Sequence, residues 1–436
     1  MVELITILLF ASLIVILVSG LPLSFGIGAV GVIFAYFLWG PEKLGFIVSS
    51  TSAIATNYSL LAIPLFVFMA NMLERSGVAD DLYNMMHQWF GPVRGGLGIG
   101  TVLICTIMAA MSGISAAAVV TMGVIALPAM LKRNYDRKMT IGCIAAGGAL
   151  GQLIPPSAIM ILYAFWANES VGRMFLGGVI PGLILSALFI IYIGVRCFFQ
   201  PHFGPPLPPE ERVGWAEKLR SLRAVIFPAL LIVAVLGSMF AGLSTATESA
   251  AVGSFGSILC AILNRRFNWN NLKSASYSTL LLVCMILWIM ISVSCFTNVF
   301  ITAGGSKFVT KSILELGLNR WIILWGMQFV WFVLGCLIDP TGILMITVPV
   351  FVPIIKELGF NSLWFGVLFV VNMEMSFLTP PFGFNLFYLR NLLPDTPMEV
   401  IYSSVWPFII LQAIGLAIVI IFPQSILWLP NLVLGE

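Results

Sequence analysis

Two pairs of adjacent prolines, Pro155-Pro156 and Pro380-Pro381, stand inside otherwise apolar stretches of this 436-residue chain. A Pro-Pro pair within a helix removes two backbone donors and frees the carbonyls of the preceding turn. The first pair lies in Gln152-Leu153-Ile154-Pro155-Pro156-Ser157 and the second in Leu378-Thr379-Pro380-Pro381-Phe382-Gly383. Two other apolar stretches, 96–131 and 321–355, are interrupted by Ser112-Gly113-Ile114-Ser115 and by Asp339-Pro340-Thr341-Gly342. Freed carbonyls and hydroxyls are hard oxygen ligands suited to Na⁺, and the N-termini of half-helices present amides to an anion. In lipid such breaks persist only where they are buried in protein or line a polar cavity. The chemistry these residues suit is one solute site flanked by two cation sites at the membrane midplane, with each break facing a hairpin tip.

Each piece also has a plainer reading. A single proline in a membrane helix is often only a kink, but a doubled and repeated pair opposite a polar tip favours a site. Ser112, Gly113 and Ser115 also suit close helix packing. Asp339, an ionisable group at a hairpin tip, requires a cation or a hydrogen-bond donor. Glu374, just before the second Pro-Pro, is either a pairing or coupling residue or a structural hydrogen-bonding group. Glu248, within Thr245-Ala246-Thr247-Glu248-Ser249, is read first as a helix cap.

These residues must be positioned by membrane-spanning helices. Sixty per cent of the chain is hydrophobic and 9% is charged, against roughly 25% charged in soluble chains. Apolar runs recur at the length of about 20 residues that crosses the hydrocarbon core. Spans are predicted at 4–19, 23–39, 58–73, 141–167, 174–197, 224–242, 248–264, 277–300, 361–389 and 404–427. Leu4–Val18 lacks a basic leader and is followed at once by another span, so it reads as a retained span. The fold class expected is an all-α polytopic membrane protein, 1–436 forming a single membrane domain with no soluble domain. Segments 96–131 and 321–355 read as re-entrant helical hairpins, while 214–223 and 78–90 read as short surface helices.

The same plan occurs twice. The two Pro-Pro pairs lie 225 positions apart, and that offset carries Pro128 onto Pro353 and Tyr163 onto Tyr388; a shift of two more carries Asn71 onto Asn298 and Gly77 onto Gly304. Repeat 1 spans 23–167, with hairpin 96–131 and broken helix 141–167. Repeat 2 spans 248–390, with hairpin 321–355 and broken helix 361–389. Between them lie the connecting scaffold spans of 168–247. Three crossings per unit and two between them make the repeats inverted. With hairpin 96–131 entering from the cytoplasm, 15 of the 21 Lys and Arg residues fall on that side and both termini lie outside, as the positive-inside rule requires.

Other classes find little support. The seven cysteines have no C-x-x-C spacing and only His87 and His202 to help them, so they read as core residues rather than a metal site. A net charge of +3 without a basic patch makes nucleic acid an unexpected partner. An intramembrane enzyme would require a catalytic constellation, and Asp339 has no aspartate mate in a span. A channel shares the expected architecture and is the alternative to a secondary transporter.

The run Asn57-Tyr58-Ser59-Leu60-Leu61-Ala62-Ile63-Pro64-Leu65-Phe66, Pro155-Pro156-Ser157, Thr247-Glu248-Ser249-Ala250-Ala251 and Thr379-Pro380-Pro381-Phe382-Gly383-Phe384-Asn385-Leu386-Phe387 resemble the large membrane subunit of tripartite ATP-independent periplasmic (TRAP) transporters. The resemblance covers essentially the whole chain. It implies an elevator-type fold of the ion-transporter superfamily in the bacterial inner membrane, both termini being expected on the periplasmic side. It also implies Na⁺-coupled import of an organic anion, such as sialic acid or a C4-dicarboxylate, with no organic cofactor. The implied partners are a small four-helix membrane subunit, a soluble periplasmic substrate-binding protein and the bilayer. Carried onto this sequence, the first Na⁺ site would use Ser112, Ser115, Gly147, Gly151 and Pro155. The second would use Asp339, Thr341, Met375 and Thr379. The solute would lie near Gln152, Ser157, Thr341 and Phe382. No arginine at either break offers a carboxylate clamp, so amides and hydroxyls would have to serve.

Overall fold

A computed structural model describes residues 1–435, so Glu436 of the predicted domain lies outside the described residues. The chain is helical throughout. Helices α1 (Val2–Ser19) and α2 (Leu23–Trp39) are followed by α3 (Gly45–Ala55) and α4 (Ala62–Glu74). Surface helix α5 (Val78–Phe90) leads into the pair α6 (Gly96–Ser112) and α7 (Ser115–Lys132). The first broken helix is α8 (Arg137–Ala149) with α9 (Ala158–Ala167), and α10 (Val171–Phe199) follows. Short α11 (Trp215–Ser221) precedes α12 (Arg223–Ile232), which runs through a π turn into α13 (Ser238–Phe240). Then come α14 (Ala246–Leu263), α15 (Trp269–Thr302) and α16 (Gly305–Glu315). The pair α17 (Arg320–Gly335) and α18 (Pro340–Glu357) precedes the second broken helix, α19 (Ser362–Leu378) with α20 (Phe384–Leu392). Helices α21 (Met398–Ile421) and α22 (Gln424–Leu434) end the chain. Among the described residues, seven helices are long and apolar enough to cross a membrane, and the α3–α4 segments, bent by 55°, make an eighth candidate span.

Side chains cap eight of the described α-helices at their starts. Lipid offers no water to the orphan amides of a helix start, so polar side chains take them. Asp136 accepts from Met139 N–H at 2.8 Å, Asn268 from Asn271 at 2.7 Å and Asn361 from Trp364 at 3.0 Å. Thr245 and Glu248 form a reciprocal capping box at the start of α14, which makes Glu248 a cap. Asp339 caps α18, its carboxylate accepting from Thr341 N–H at 2.9 Å with Pro340 in the first turn. The donor that its position requires is therefore a helix terminus.

Three features depart from the predicted spans. Helix α3 was not anticipated: the expected span 58–73 is the second arm of a bent pair whose break at Thr56–Asn57 is closed by Asn57 Oδ1 accepting from Ser59 N–H. Helix α15 runs unbroken for 34 residues where 277–300 was expected. The predicted span 404–427 divides at Phe422–Pro423 into α21 and α22, because Pro423 cannot donate to the turn before it. Gly77 and Gly304, aligned by the 227-residue offset, are both left-handed (φ 76° and 86°) and both precede a surface helix, α5 and the unanticipated α16.

Helices α2, α4, α14 and α15 pack together in one layer, which α4 joins to α6, α7 and α9 of the parts bearing the breaks. In that layer α2 lies on α15 and α4 on α14. Gly31 lets α2 approach until a Cβ there would sit 2.8 Å from the Phe296 amide nitrogen, the close crossing small residues permit. Elsewhere α8 is buried among α6, α7, α19 and α21. Tyr163 of α9 crosses over Gly366 and donates to the Ser362 carbonyl at 2.8 Å. Fully buried Trp331 joins α17 to α18 through Thr347 Oγ1 at 2.7 Å and packs against Phe365.

Candidate functional site

The first helix pair meets the first Pro-Pro break directly. Gly113, left-handed at φ 62°, ends α6 and lies so close to the Pro156 carbonyl that a Cβ there would collide with it. From the other side, a Cβ on Gly151 would lie 3.0 Å from the Ile114 carbonyl and 3.1 Å from Ser115 Cα. The turn 112–115 and the break 150–157 are thus apposed backbone to backbone, while Gly147 lies against the Cys105 side chain. Every residue from Leu150 to Ser157 is buried. Ser157 spends its hydroxyl as the cap of α9, accepting from Met160 N–H at 3.4 Å.

Two oxygens at this junction have no hydrogen-bond partner although both are buried: Ser112 Oγ and Gln152 Oε1. Buried polar atoms are nearly always paired, so these are the anomalies that a cation would resolve. Ser112 also lines a cavity of about 20 Å³ beneath α4 and α5, whose other walls are apolar apart from Glu74 and include none of the remaining predicted ligands. Hydroxyl and carbonyl oxygens are the donor set that Na⁺ takes, and the first predicted site fits the ion on that ground.

Ser115 is held differently. Its hydroxyl donates at 2.8 Å to Oδ1 of Asn385, which lies at the start of α20, and the same amide donates at 3.1 Å to the Ala145 carbonyl of α8. Asn385 is fully buried. One side chain from the second broken helix therefore ties the first helix pair to the first broken helix. Asn385 stands in the motif quoted above, but no spacing rule assigned it a role, because its partners are 270 and 240 residues away.

The second junction is looser. A Cβ on Gly335 would clash with Ser376 Oγ, so α17 sits close on α19. Thr379 Oγ1 donates to the Met375 carbonyl at 2.8 Å, and both residues are buried. Among the described residues no hydrogen bond joins Asp339 or Thr341 to Met375 or Thr379. The break itself reaches the surface: Pro381 is exposed and Phe382 is 47% exposed. The Pro381 carbonyl accepts from Tyr402 of α21 at 3.0 Å, a partner sequence reasoning did not find. Of the expected solute residues, Gln152, Ser157 and Thr341 are buried, and only Phe382 faces outward. Between the two breaks, Glu374 is fully buried, with neither carboxylate oxygen in a hydrogen bond.

A family model described as "Tripartite ATP-independent periplasmic transporter, DctM component" matches residues 10–425. The C4-dicarboxylate TRAP transporter large permease protein DctM of Vibrio cholerae is 32% identical over 98% of each chain. The ectoine TRAP transporter large permease protein of Halomonas elongata is 27% identical over 98% of this chain and 99% of its own. The sialic acid TRAP transporter large permease protein of V. cholerae is 27% identical over 96% and 97%. Among solved structures, Neisseria gonorrhoeae MtrF, described as one of a class of antimetabolite efflux pumps, superposes with a TM-score of 0.66 at 13% identity over 96% of this chain and 94% of its own. That likeness concerns the fold alone.

Proposed function

The chain belongs to the DctM-component family of tripartite ATP-independent periplasmic transporters, and from that premise we propose that it is the large membrane subunit of a Na⁺-coupled importer of an organic acid. The observation that carries the reading is the junction of the turn 112–115 with the break 150–157, where Ser112 Oγ and Gln152 Oε1 are buried without partners. Ser112, Ser115, Gly147, Gly151 and Pro155 would surround the first ion. Asp339, Thr341, Met375 and Thr379 would surround a second. Relatives named for a C4-dicarboxylate and for sialic acid make these the first solutes to test, with Gln152, Ser157, Thr341 and Phe382 as contacts.

The two helix pairs act as re-entrant hairpins and, with both broken helices, move as an elevator. The connecting spans of 168–247, joined by the layer of α2, α4, α14 and α15 whose Gly31 crossing is close-packed, serve as the fixed scaffold. The units 23–167 and 248–390 are inverted repeats on this reading, which the matched left-handed Gly77 and Gly304 support. A small four-helix membrane subunit and a periplasmic binding protein complete the system, in the bacterial inner membrane with both termini periplasmic. The test is uptake of labelled succinate or sialic acid into proteoliposomes holding the two membrane subunits, with the binding protein added. Uptake is expected to require a Na⁺ gradient and to show counterflow. Uptake unchanged when K⁺ replaces Na⁺ would remove the coupling, and absence of counterflow would favour a channel.

A further inference from the structure

A cavity of about 370 Å³ opens between the surface helix α5 and the first turns of α12, and no residue of either break lines it. Its α5 wall is built from one helical face, with Asp81, Asn84 and Gln88 contributing polar groups at spacings of three and four. Opposite stand Arg223, at the start of α12, and Phe227 one turn on, while Asn264, just past α14, closes the end. Asn264 is itself fixed, its amide donating to the Ser76 carbonyl at 3.3 Å. One acid and one base thus line the cavity. Among the described residues, neither Asp81 nor Arg223 takes part in an ion pair. Each is exposed and within reach of a ligand.

The rim is apolar. Ile226 and Leu230 on α12, and Ile262 and Leu263 at the end of α14, are all exposed beside the polar cavity. Trp215 and Leu219 of α11 are exposed on the same side, as residues of an interfacial helix are. A ligand matched to this surface carries a cation for Asp81, an anion for Arg223 and hydrocarbon for the rim. We propose that this cavity binds the headgroup of a phosphatidylethanolamine, with the phosphodiester on Arg223, the ammonium on Asp81 and the acyl chains along Ile226, Leu230 and Leu263. The guanidinium suits a phosphate oxygen pair, and the compact ammonium donates three hydrogen bonds that Asp81 and the neighbouring Asn84 and Gln88 side chains accept. Trimethylated choline cannot make those bonds, and the neutral glycerol of a phosphatidylglycerol brings Asp81 hydroxyls but no cation.

The full chain is reconstituted in nanodiscs of equal parts phosphatidylethanolamine and phosphatidylglycerol, and the lipids retained after extraction are counted by native mass spectrometry. Wild type is expected to retain one phosphatidylethanolamine with a preference of at least about tenfold, the scale of a charge-assisted hydrogen bond. Asp81→Asn removes that preference while phosphatidylglycerol is still retained, and Arg223→Gln loses both. Asn84→Trp fills the cavity without altering either charge and also loses the lipid, which separates the site from a general charge effect. Wild type without a headgroup preference, or charge variants that keep the wild-type preference, would overturn the proposal. Displacement of the lipid by millimolar glycerophosphoethanolamine would overturn the lipid as the source and assign the cavity to a soluble phosphoethanolamine. None of these readouts depends on uptake, so the site stands or falls apart from the transport reading.

Discussion

Replacing Asn385 by leucine keeps the volume of the side chain and removes both hydrogen bonds that join the second broken helix to the first half of the chain. The two partners do not lose equally. The Ala145 carbonyl lies inside α8 and keeps the lone pair it uses in the helix, so it forfeits only a second bond. The Ser115 hydroxyl loses its acceptor in a site where it is 2% exposed. A buried polar group left unsatisfied costs about 1–3 kcal/mol, which sets the combined loss at about 2 kcal/mol, or a factor of roughly 30 in an equilibrium constant. If Ser115 helps to hold Na⁺, most of that loss falls on the arrangement that binds the ion. Asn385→Leu is then expected to raise the Na⁺ concentration for half-maximal uptake roughly 30-fold and to lower the melting temperature mainly when Na⁺ is present. Asn385→Asp still accepts from Ser115 but cannot donate to Ala145, and should fall between the two. A leucine variant whose Na⁺ dependence and melting curve both match wild type would refute the reasoning, because the clasp would then carry no free energy.

Ser112→Ala should weaken Na⁺ dependence several-fold while leaving the melting temperature in K⁺ unchanged, since its hydroxyl has no partner to lose; a fall in the K⁺ melting temperature would show that the hydroxyl is structural. Gly113→Ala demands a left-handed backbone at φ 62° and a methyl group against the Pro156 carbonyl. The conformation alone costs about 1–2 kcal/mol, so uptake should be lost even where membrane expression persists, and normal uptake would mean that the contact of turn and break is dispensable. In the loop outside the spans, Arg133 pairs with Glu211 at 2.5 Å and holds its carboxyl below the usual value of 4.5. A carboxyl depressed in the folded state adds stability above its unfolded value and loses it as pH falls below about 4.5 through the folded value. The pair is exposed, so the effect is small and salt-sensitive; Glu211→Gln should flatten this acid-side slope of the melting curve, and an unchanged slope would assign it elsewhere.

The sequence by itself determined the class of molecule and the positions of its interruptions. Composition demands lipid as solvent, and in lipid a helix can stop only where proline, glycine or a capping side chain makes it stop. For that reason the breaks at 112–115, 150–157, 339–342 and 378–383, the cap at Glu248 and the surface helix 78–90 were legible in one dimension. Helix α3 was not, because Thr56 and Asn57 are weak breakers whose 55° bend depends on what packs around them. Helix α16 was not, because it is short and its sequence, interrupted by polar residues, leaves no long apolar run. Only the tertiary structure decided which oxygens are spent and which are left over. It gave Ser157 and Asp339 to helix caps, Thr379 to the Met375 carbonyl and Pro381 to Tyr402, and it left Ser112 and Gln152 unpaired. Residue type sets how many hydrogen bonds a group can make. Whether a partner arrives from 270 residues away, as Asn385 does for Ser115, is a matter of packing that no local pattern encodes.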